Sequence, residues 1–399
     1  MIKLASKTEC TGCAACVAIC PCNNITMISD PEGFLYPVLL DHCVECHKCE
    51  KICPVINKPN LQSIRTSQSA FCALHKDENI WSLSSSGGAF SAICENWGDE
   101  DTIIFGAKFD EQNEVVHDFI KGVGNIAPFR RSKYVQSRIE NIYEEVKSNL
   151  EIGRKVIFSG VPCQVAALRN FLGDKYLNSK SLLCVDLMCM GVGSPAIFAK
   201  YLMAIEEKFK SKIIEFSFRN RKVKHGSLSI YGIKITFSNG IVYENAEDLY
   251  NSLFIQKTIC RRSCYACIFA NLDRMGDITI ADFKNLYDIF PKLKTSKNHS
   301  AIIVNTSTGA NVMQSLSSNM DIYPCSMQVI SKIHFKSLNY ADLLIEKRSK
   351  FFQEYIHNSD IIFLLKRYKK RRSMLLNFWI MIPERYRACF KRWVKNGKA

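Results

Sequence analysis

Cys10-Thr-Gly-Cys13-Ala-Ala-Cys16-Val-Ala-Ile-Cys20-Pro21 is followed later in the chain by Cys43-Val-Glu-Cys46-His-Lys-Cys49-Glu-Lys-Ile-Cys53-Pro54. Both runs read C-x2-C-x2-C-x3-C-P, and this doubling is the one internal repeat in the sequence. Three thiolates on a tight loop wrap one face of an iron–sulfur cube, and the fourth, carried away by a helical turn ending at proline, reaches the other cube. The expected ligand sets are therefore crossed. Cys10, Cys13 and Cys16 pair with Cys53 around one 4Fe-4S cluster, while Cys43, Cys46 and Cys49 pair with Cys20 around a second. Between the halves, Asp30-Pro-Glu-Gly33 supplies a turn between short strands. Cys22 fits neither set, and His42 and His47 read as surface residues. Tetrahedral zinc also takes C-x2-C pairs, but it needs only four ligands and no doubled proline-ended pattern.

Working outward, 399 residues with 47% apolar content suffice for two or three domains with at least one sizeable core. The 19 cysteines call for disulfides, metal or packing. Met1 to Glu9 has no apolar signal region or cleavage site, so reduced, metal-bound thiols in the cytoplasm are expected. The net charge of +15 is concentrated at the end of the chain. Lys366 to Lys398 holds twelve Lys and Arg against one acid, Glu384. The rest is close to neutral, which argues against a nucleic-acid groove, and no nucleic-acid partner is expected. Lys366-Arg-Tyr-Lys-Lys-Arg-Arg372, the apolar run Met374 to Ile382, and Trp379 and Trp393 combine as in an interfacial anchor. Peripheral contact with the inner face of a membrane is a candidate role for this stretch. No run approaches the roughly 20 apolar residues a bilayer crossing needs.

Three regions are expected. Residues 1–56 form a small bacterial ferredoxin-like α+β domain, residues 70–345 an α/β body with a mixed sheet, and residues 346–399 a helical basic tail. Asn57 to Ser69 reads as a linker. In the body, Thr102 to Phe109, Lys155 to Ser159 and Leu182 to Leu187 read as strands, and Gln164 to Leu172 and Ala196 to Lys210 as helices. Ser227 to Phe237, Asn239-Gly240 and Ile241 to Tyr243 read as a hairpin that makes the sheet mixed.

Four body segments carry small or polar residues that a core does not require. Ser84-Ser-Ser-Gly-Gly88 leads into a helix, where backbone N–H groups can cradle phosphate; an ordinary helix cap is the plainer reading. Ser132-Lys-Tyr-Val-Gln-Ser137 offers a cation and several donors. Phe158-Ser-Gly-Val-Pro-Cys163-Gln164 and Asp186-Leu-Met-Cys189-Met-Gly-Val-Gly-Ser-Pro195 both end strands at their carboxyl edges, where open α/β sheets take ligands. Farther on, Cys260-x3-Cys264-Tyr-Ala-Cys267 calls for its own metal. Cys163 and Cys189 can complete four ligands with Cys264 and Cys267. Cys260 competes for a place, and packing thiols remain the alternative for Cys163 and Cys189.

As an ordered set, Ser-Ser-Gly-Gly, Ser-Lys-Tyr-Val-Gln-Ser, Ser-Gly-Val-Pro-Cys-Gln, Asp-Leu-Met-Cys-x-Gly-Val, Phe218-Arg-Asn-Arg221 and Ser-Cys-Tyr-x-Cys with Asp277-Ile-Thr-Ile-x-Asp-Phe283 resemble the family of coenzyme F420 hydrogenase/dehydrogenase beta subunits. The resemblance covers most of the chain ahead of the basic tail. It implies an FAD-containing oxidoreductase with a third 4Fe-4S cluster beside the flavin. The FAD would exchange a hydride with an organic substrate, and the clusters would pass electrons to or from a redox partner protein or a small donor. Family members found among polysaccharide-biosynthesis genes suggest that setting. Flavin contacts implied by the resemblance are Ser85, Ser86, Gly87, Gly88, Lys133, Gln136, Ser159, Gly160 and Asp282; no residue is given a catalytic role. Two departures stand out. Met190 occupies a position where many members have histidine, and Ala281-Asp-Phe-Lys-Asn285 replaces a Gly-Asp-Phe-Trp-Gly ending. The competing reading is a flavin-free electron carrier or scaffold that docks a biosynthetic partner.

Overall fold

The computed structural model describes residues 2–139, 141–220, 232–284, 286–293, 297–334 and 341–369. Each cysteine run makes a tight loop that opens into a short helix, Ala15–Ala18 in the first half and Lys48–Ile52 in the second. The loops bend through matched left-handed residues, Gly12 and Ala14 at φ 68° and 60°, Glu45 and His47 at φ 49° and 57°. These flank the middle cysteine of each run, so the repeat holds in backbone geometry as well as in spacing. Between the halves, β1 (Ile25–Ser29) and β2 (Leu35–Leu39) pair antiparallel. The Asp30 carboxylate accepts from the Glu32 and Phe34 amides across their turn.

The remaining strands are β3 (Arg65–His75), β4 (Ile103–Phe109), β5 (Val115–Lys121), β6 (Val156–Gly160), β7 (Leu182–Leu187), β8 (Ile213–Asn220), β9 (Gly232–Phe237), β10 (Val242–Asn245), β11 (Ile278–Asp282), β12 (Ser300–Thr306) and β13 (Met320–Cys325). Eight of them form one mixed sheet in the order β13-β3-β12-β11-β7-β6-β4-β5. Its centre, β11-β7-β6-β4, is parallel. Strand residues alternate between two cores as a period of two requires. Ile103, Phe105, Val156 and Phe158 face the helices Ile142–Glu151 and Pro162–Leu172. Ile104, Ile157 and Leu183 face the helices Ala89–Trp97 and Ser307–Ser315.

The hairpin read around Asn239-Gly240 does form, but in a separate antiparallel sheet, β10-β9-β8. The main sheet is mixed for another reason: β5, β12 and β13 run against their neighbours. Part of the hairpin reading, residues 227–231, lies outside the described residues. The small sheet packs on the helix Pro195–Phe209, whose Ile197, Phe198, Tyr201, Leu202 and Ile205 make one buried stripe.

Two segment boundaries differ from the sequence reading. The expected linker is anchored, since Leu61 and Ile64 are buried and β3 already begins at Arg65. The expected tail begins as core. Helices Ala341–His357 and Ile361–Tyr368 bury Phe351, Phe352, Leu364 and Leu365. The basic stretch beyond, with Trp379 and Trp393, lies outside the described residues. Among those described, no helix is long and apolar enough to cross a membrane.

The cysteine module is built into the body. Cys10, Phe34 and Tyr36 join the core of the small sheet, and Ala14, Ala15 and Ile52 join that of the main sheet. Gly33 sits at φ 81°, and a Cβ there would lie 2.2 Å from the Ala196 Cβ. Gly33→Ala is expected to push the β1–β2 turn off the helix Pro195–Phe209 and to cost about 1–3 kcal/mol. Urea unfolding gives the size, and faster hydrogen exchange confined to residues 25–39 gives the place; an unchanged midpoint would contradict the close contact.

Candidate metal centres

Crossing of the two cysteine runs is visible in the side chains. One open hollow of about 410 Å³ is lined by Cys10, Cys13, Cys16 and Cys53. A second, of about 320 Å³, is lined by Cys20, Cys43 and Cys46, with Cys22 at its rim. Cys49 borders both hollows. Each run thus sends its last cysteine to the other run's loop. Burial pushes the Cys13 thiol up to about 12, and repulsion from Cys10 and Cys53 adds to it. The Cys16 thiol is raised by burial and then by Cys13, Cys10, Cys53 and Cys49. Cys46 and Cys22 at the second hollow are exposed, whereas Cys10 and Cys13 at the first are buried. Backbone amides of Asn24 and Glu45 donate to the sulfurs of Cys20 and Cys43 at 3.3 and 3.4 Å.

The body cysteines gather where β6 and β7 end. Burial raises the Cys163 thiol, followed by repulsion from Cys267, Cys189, Cys13 and Cys264. Burial pushes Cys189 up to about 12, with Cys264 and Cys267 contributing. Cys163, Cys189, Cys264 and Cys267 therefore face one another. Cys260 is buried behind Cys189 and Cys264, and Cys163 is not among the thiols that repel it. Gly191, at φ 125°, leaves room for the Cys260 sulfur, which would be 3.2 Å from a Cβ there. Among the described residues, no three His, Cys, Asp or Glu side chains converge as ligands of a single metal ion. The thiols of the two runs line open hollows, as corner ligands of a cluster do.

The loop bearing Cys264 and Cys267 is stapled to the sheet by two buried ion pairs. Arg274 donates to Asp186 at 3.1 Å and to the Leu187 carbonyl at 2.8 Å. Arg169 meets Asp277 at 3.1 Å, and Asp277 also accepts from the Cys184 amide and the Thr306 hydroxyl. Removing one member of such a pair typically costs about 3–5 kcal/mol. Most of the Arg274 to Phe283 motif therefore serves to hold the strands β7 and β11 in place.

Most of the residues associated with flavin line the same strand-end edge, in varied states. Ser85 accepts from the Ser132 amide at 2.8 Å, Ser86 donates to the His299 carbonyl at 2.6 Å, and the Gly87 amide donates to Ser300 at 2.8 Å. Gly88 is left-handed at φ 89°, and a Cβ on it would lie 2.8 Å from His75. Gly160 closes β6 beside Gln164. Lys133 is half-buried and donates to the carbonyls of Pro128 and Arg130 at 2.8 and 2.9 Å. Burial, and then Arg131, push its ammonium down to about 7. Asp282 is gripped by Arg219 at 2.8 and 3.0 Å. Gln136 turns the other way: its amide donates to Thr11 and Gly12 carbonyls of the first cysteine loop at 3.2 and 3.4 Å.

Three functional positions escaped the sequence reading. Tyr143 donates to the Cys13 carbonyl at 2.8 Å and stands between Cys13 and Cys163. Arg261, beside the motif cysteines, reaches the first cysteine loop. His117 lies on β5 with both ring nitrogens engaged. Its Nε2 donates to the Ser159 carbonyl at 3.1 Å, so Nδ1 accepts from the Ser137 hydroxyl at 2.8 Å, which accepts from Gln164 at 3.0 Å. A lone histidine in a strand gives no spacing signal. The Ser137 and Gln164 motifs on either side were the available clue.

Residues 153–336 match the family model for the C terminus of the coenzyme F420 hydrogenase/dehydrogenase beta subunit, and residues 9–57 match the 4Fe-4S dicluster domain. The F subunit of the F(420)H(2) dehydrogenase from Methanosarcina mazei is 28% identical over 192 residues, covering 45% of this chain and 53% of the relative. The chain thus spans about half the length of this curated relative. A chain of the F420-reducing NiFe hydrogenase complex from Methanosarcina barkeri aligns at 16% identity and a TM-score of 0.43, covering 73% of this chain and 92% of that one.

Burial pushes the His117 imidazole down to about 4. It stays neutral in the folded chain and titrates near 6.5 when unfolded. Its contribution is complete above about pH 6.5 and is lost as pH falls toward 4, amounting to about 2 kcal/mol between pH 7.5 and 5. Urea unfolding at those two pH values should therefore show a smaller acid-side loss for His117→Gln than for the wild type. Equal losses would mean that the ring is not held neutral.

Proposed function

We propose, from the match of residues 153–336 to the family model of coenzyme F420 hydrogenase/dehydrogenase beta subunits and of residues 9–57 to the 4Fe-4S dicluster domain, that this chain is an iron–sulfur flavoprotein acting as the oxidoreductase component of a larger assembly. The observation that carries the reading is the contiguity of three all-thiol sets, linked where Cys13, Tyr143 and Cys163 meet. Cys10, Cys13, Cys16 and Cys53 hold an inner cluster, and Cys20, Cys43, Cys46 and Cys49 an outer one. Cys163, Cys189, Cys264 and Cys267 hold a third, with Cys260 as a packing thiol behind it.

When bound, the clusters supply one-electron transfer, and an FAD at the strand ends supplies exchange between one-electron partners and a hydride-carrying organic substrate. The chain's own residues set the stage for this. Tyr143 and Gln136 pin the first cysteine loop to the body. Gly87 and Gly88 let the chain pass close against Ala73 and His75, where a Cβ would collide, just ahead of the helix Ala89–Trp97; N–H groups at such a helix start can recognise a diphosphate. Lys133 fits an anion: among the described residues no carboxylate pairs with it, and a phosphate or an anionic ring beside it would restore its full charge. Exposed Cys46 marks the side from which a redox partner protein would approach.

A flavin-free electron carrier remains the second reading, favoured by the protein partners that Asp282, Ser85 and Ser86 already have. Composition separates the two. Anaerobically purified protein should contain about twelve irons and one FAD. Cys163→Ser should fall to about eight irons, whereas Cys260→Ser should keep about twelve. Lys133→Gln should keep its iron and lose flavin on gel filtration. Twelve irons without flavin would leave the carrier reading; zinc in place of iron would end both.

A further inference from the structure

The side chain of Arg261 is completely buried. Its Nε donates to the Cys10 carbonyl at 2.8 Å, Nη1 to the Leu35 carbonyl and to Gln136 Oε1 at 3.0 Å each, and Nη2 to the Cys10 sulfur at 3.7 Å. The guanidinium lies over the Tyr36 ring at 4.0 Å. A Cβ at position 12 would sit 2.8 Å from Nη1, so Gly12 makes room for it. Among the described residues no carboxylate forms an ion pair with it; the nearby Glu32 is clamped by Arg348.

Arginine does not deprotonate in proteins, and a buried charge without a counter-ion costs several kcal/mol. The anion that this site calls for is the thiolate-ligated cluster itself. We infer that Arg261 sets the reduction potential of the inner cluster, holding it above that of its outer twin. The inference rests on the cluster assignment proposed above. Each added electron increases the negative charge of a cluster, and a fixed cation that donates to a ligand sulfur stabilises the reduced form. The repeat supplies a built-in control. Cys43, the counterpart of Cys10, accepts a backbone amide from Glu45, and no buried arginine stands beside its hollow among the described residues. Two halves with one spacing thus differ in a buried charge: Arg261 donates to the Cys10 sulfur, while the cation on the lining of the outer hollow, Lys48, is exposed. The Arg261 carbonyl accepts from the Cys264 amide at 3.0 Å while its guanidinium reaches Cys10, so its charge acts more weakly on the body set. Electrons entering at the exposed outer cluster would therefore run downhill to the inner one.

EPR-monitored redox titration of the anaerobic full-length protein tests this, with Cys46→Ser identifying the outer signal. Arg261→Gln should disfavour reduction of the inner cluster at least tenfold, ~59 mV for one electron. The body cluster should shift less and the outer not at all, and Arg261→Lys should recover most of the change. An unmoved inner midpoint, equal shifts in all clusters, or loss of the inner cluster from Arg261→Lys would each overturn the inference. Failure of the underlying assignment looks different, because wild-type protein would already lack the iron and sulfide of the module.

Discussion

Crowding of thiols in a low-dielectric interior is the constraint around which this molecule is organised. A single buried cysteine such as Cys94 or Cys184 behaves as a small apolar side chain. Four that face one another do not, since burial and mutual repulsion both oppose their ionisation, as at Cys13 and Cys163. Such a set ionises at ordinary pH only when a cation shares the space among the sulfurs. The backbone agrees: Ala14, Glu45 and His47 are held left-handed, at roughly 1–2 kcal/mol each. Strain of that kind persists where the loop has no other way to turn its sulfurs inward.

Docking of the module follows the same logic. Side chains of the body donate to main-chain carbonyls of the module, Tyr143 to Cys13, Asn170 to Ile52 and Asn57, Ser194 to Glu32, and Arg261 to Cys10 and Leu35. Each is worth about 1 kcal/mol net, and the charged donor more. Their combined effect is positional. The first cluster loop meets the main core through small side chains such as Ala14 and Ala15, which by shape alone would leave its orientation loose. Hydrogen bonds to the loop backbone fix where each sulfur stands relative to Cys163.

The cysteine repeat was legible because cluster chemistry demands spacing that sequence displays directly, and the strands β4, β6 and β7 were legible because their apolar runs are short and bounded by turns. The pairing partners of the Asn239-Gly240 hairpin were not, since turn chemistry specifies a hairpin and says nothing of which sheet it joins. Residues 346–369 were misleading for a related reason. Their basic side chains cluster toward the chain end, but Phe351, Phe352, Leu364 and Leu365 decide their place by burial. Arg261 looked like one more charge beside Cys260. Its meaning depends on a contact with Cys10 across 251 positions of sequence, which no local pattern carries.

That long-range contact also explains why the module and the body read as one device. The outer hollow lies at the surface with Cys46 exposed, while Cys10 and Cys13 of the inner one are buried against Tyr143 and Arg261. Covalent spacing alone would make the two halves equivalent, as a doubled sequence implies. Docking breaks the equivalence, because only one loop can face the body, and the loop that does so exchanges water for a tyrosine hydroxyl, a glutamine amide and a guanidinium. Solvent exposure and hydrogen bonding to sulfur are the terms that separate clusters of the same type in potential. A gradient between two cradles of identical spacing therefore needs no difference in ligands; it arises from which of them the body covers.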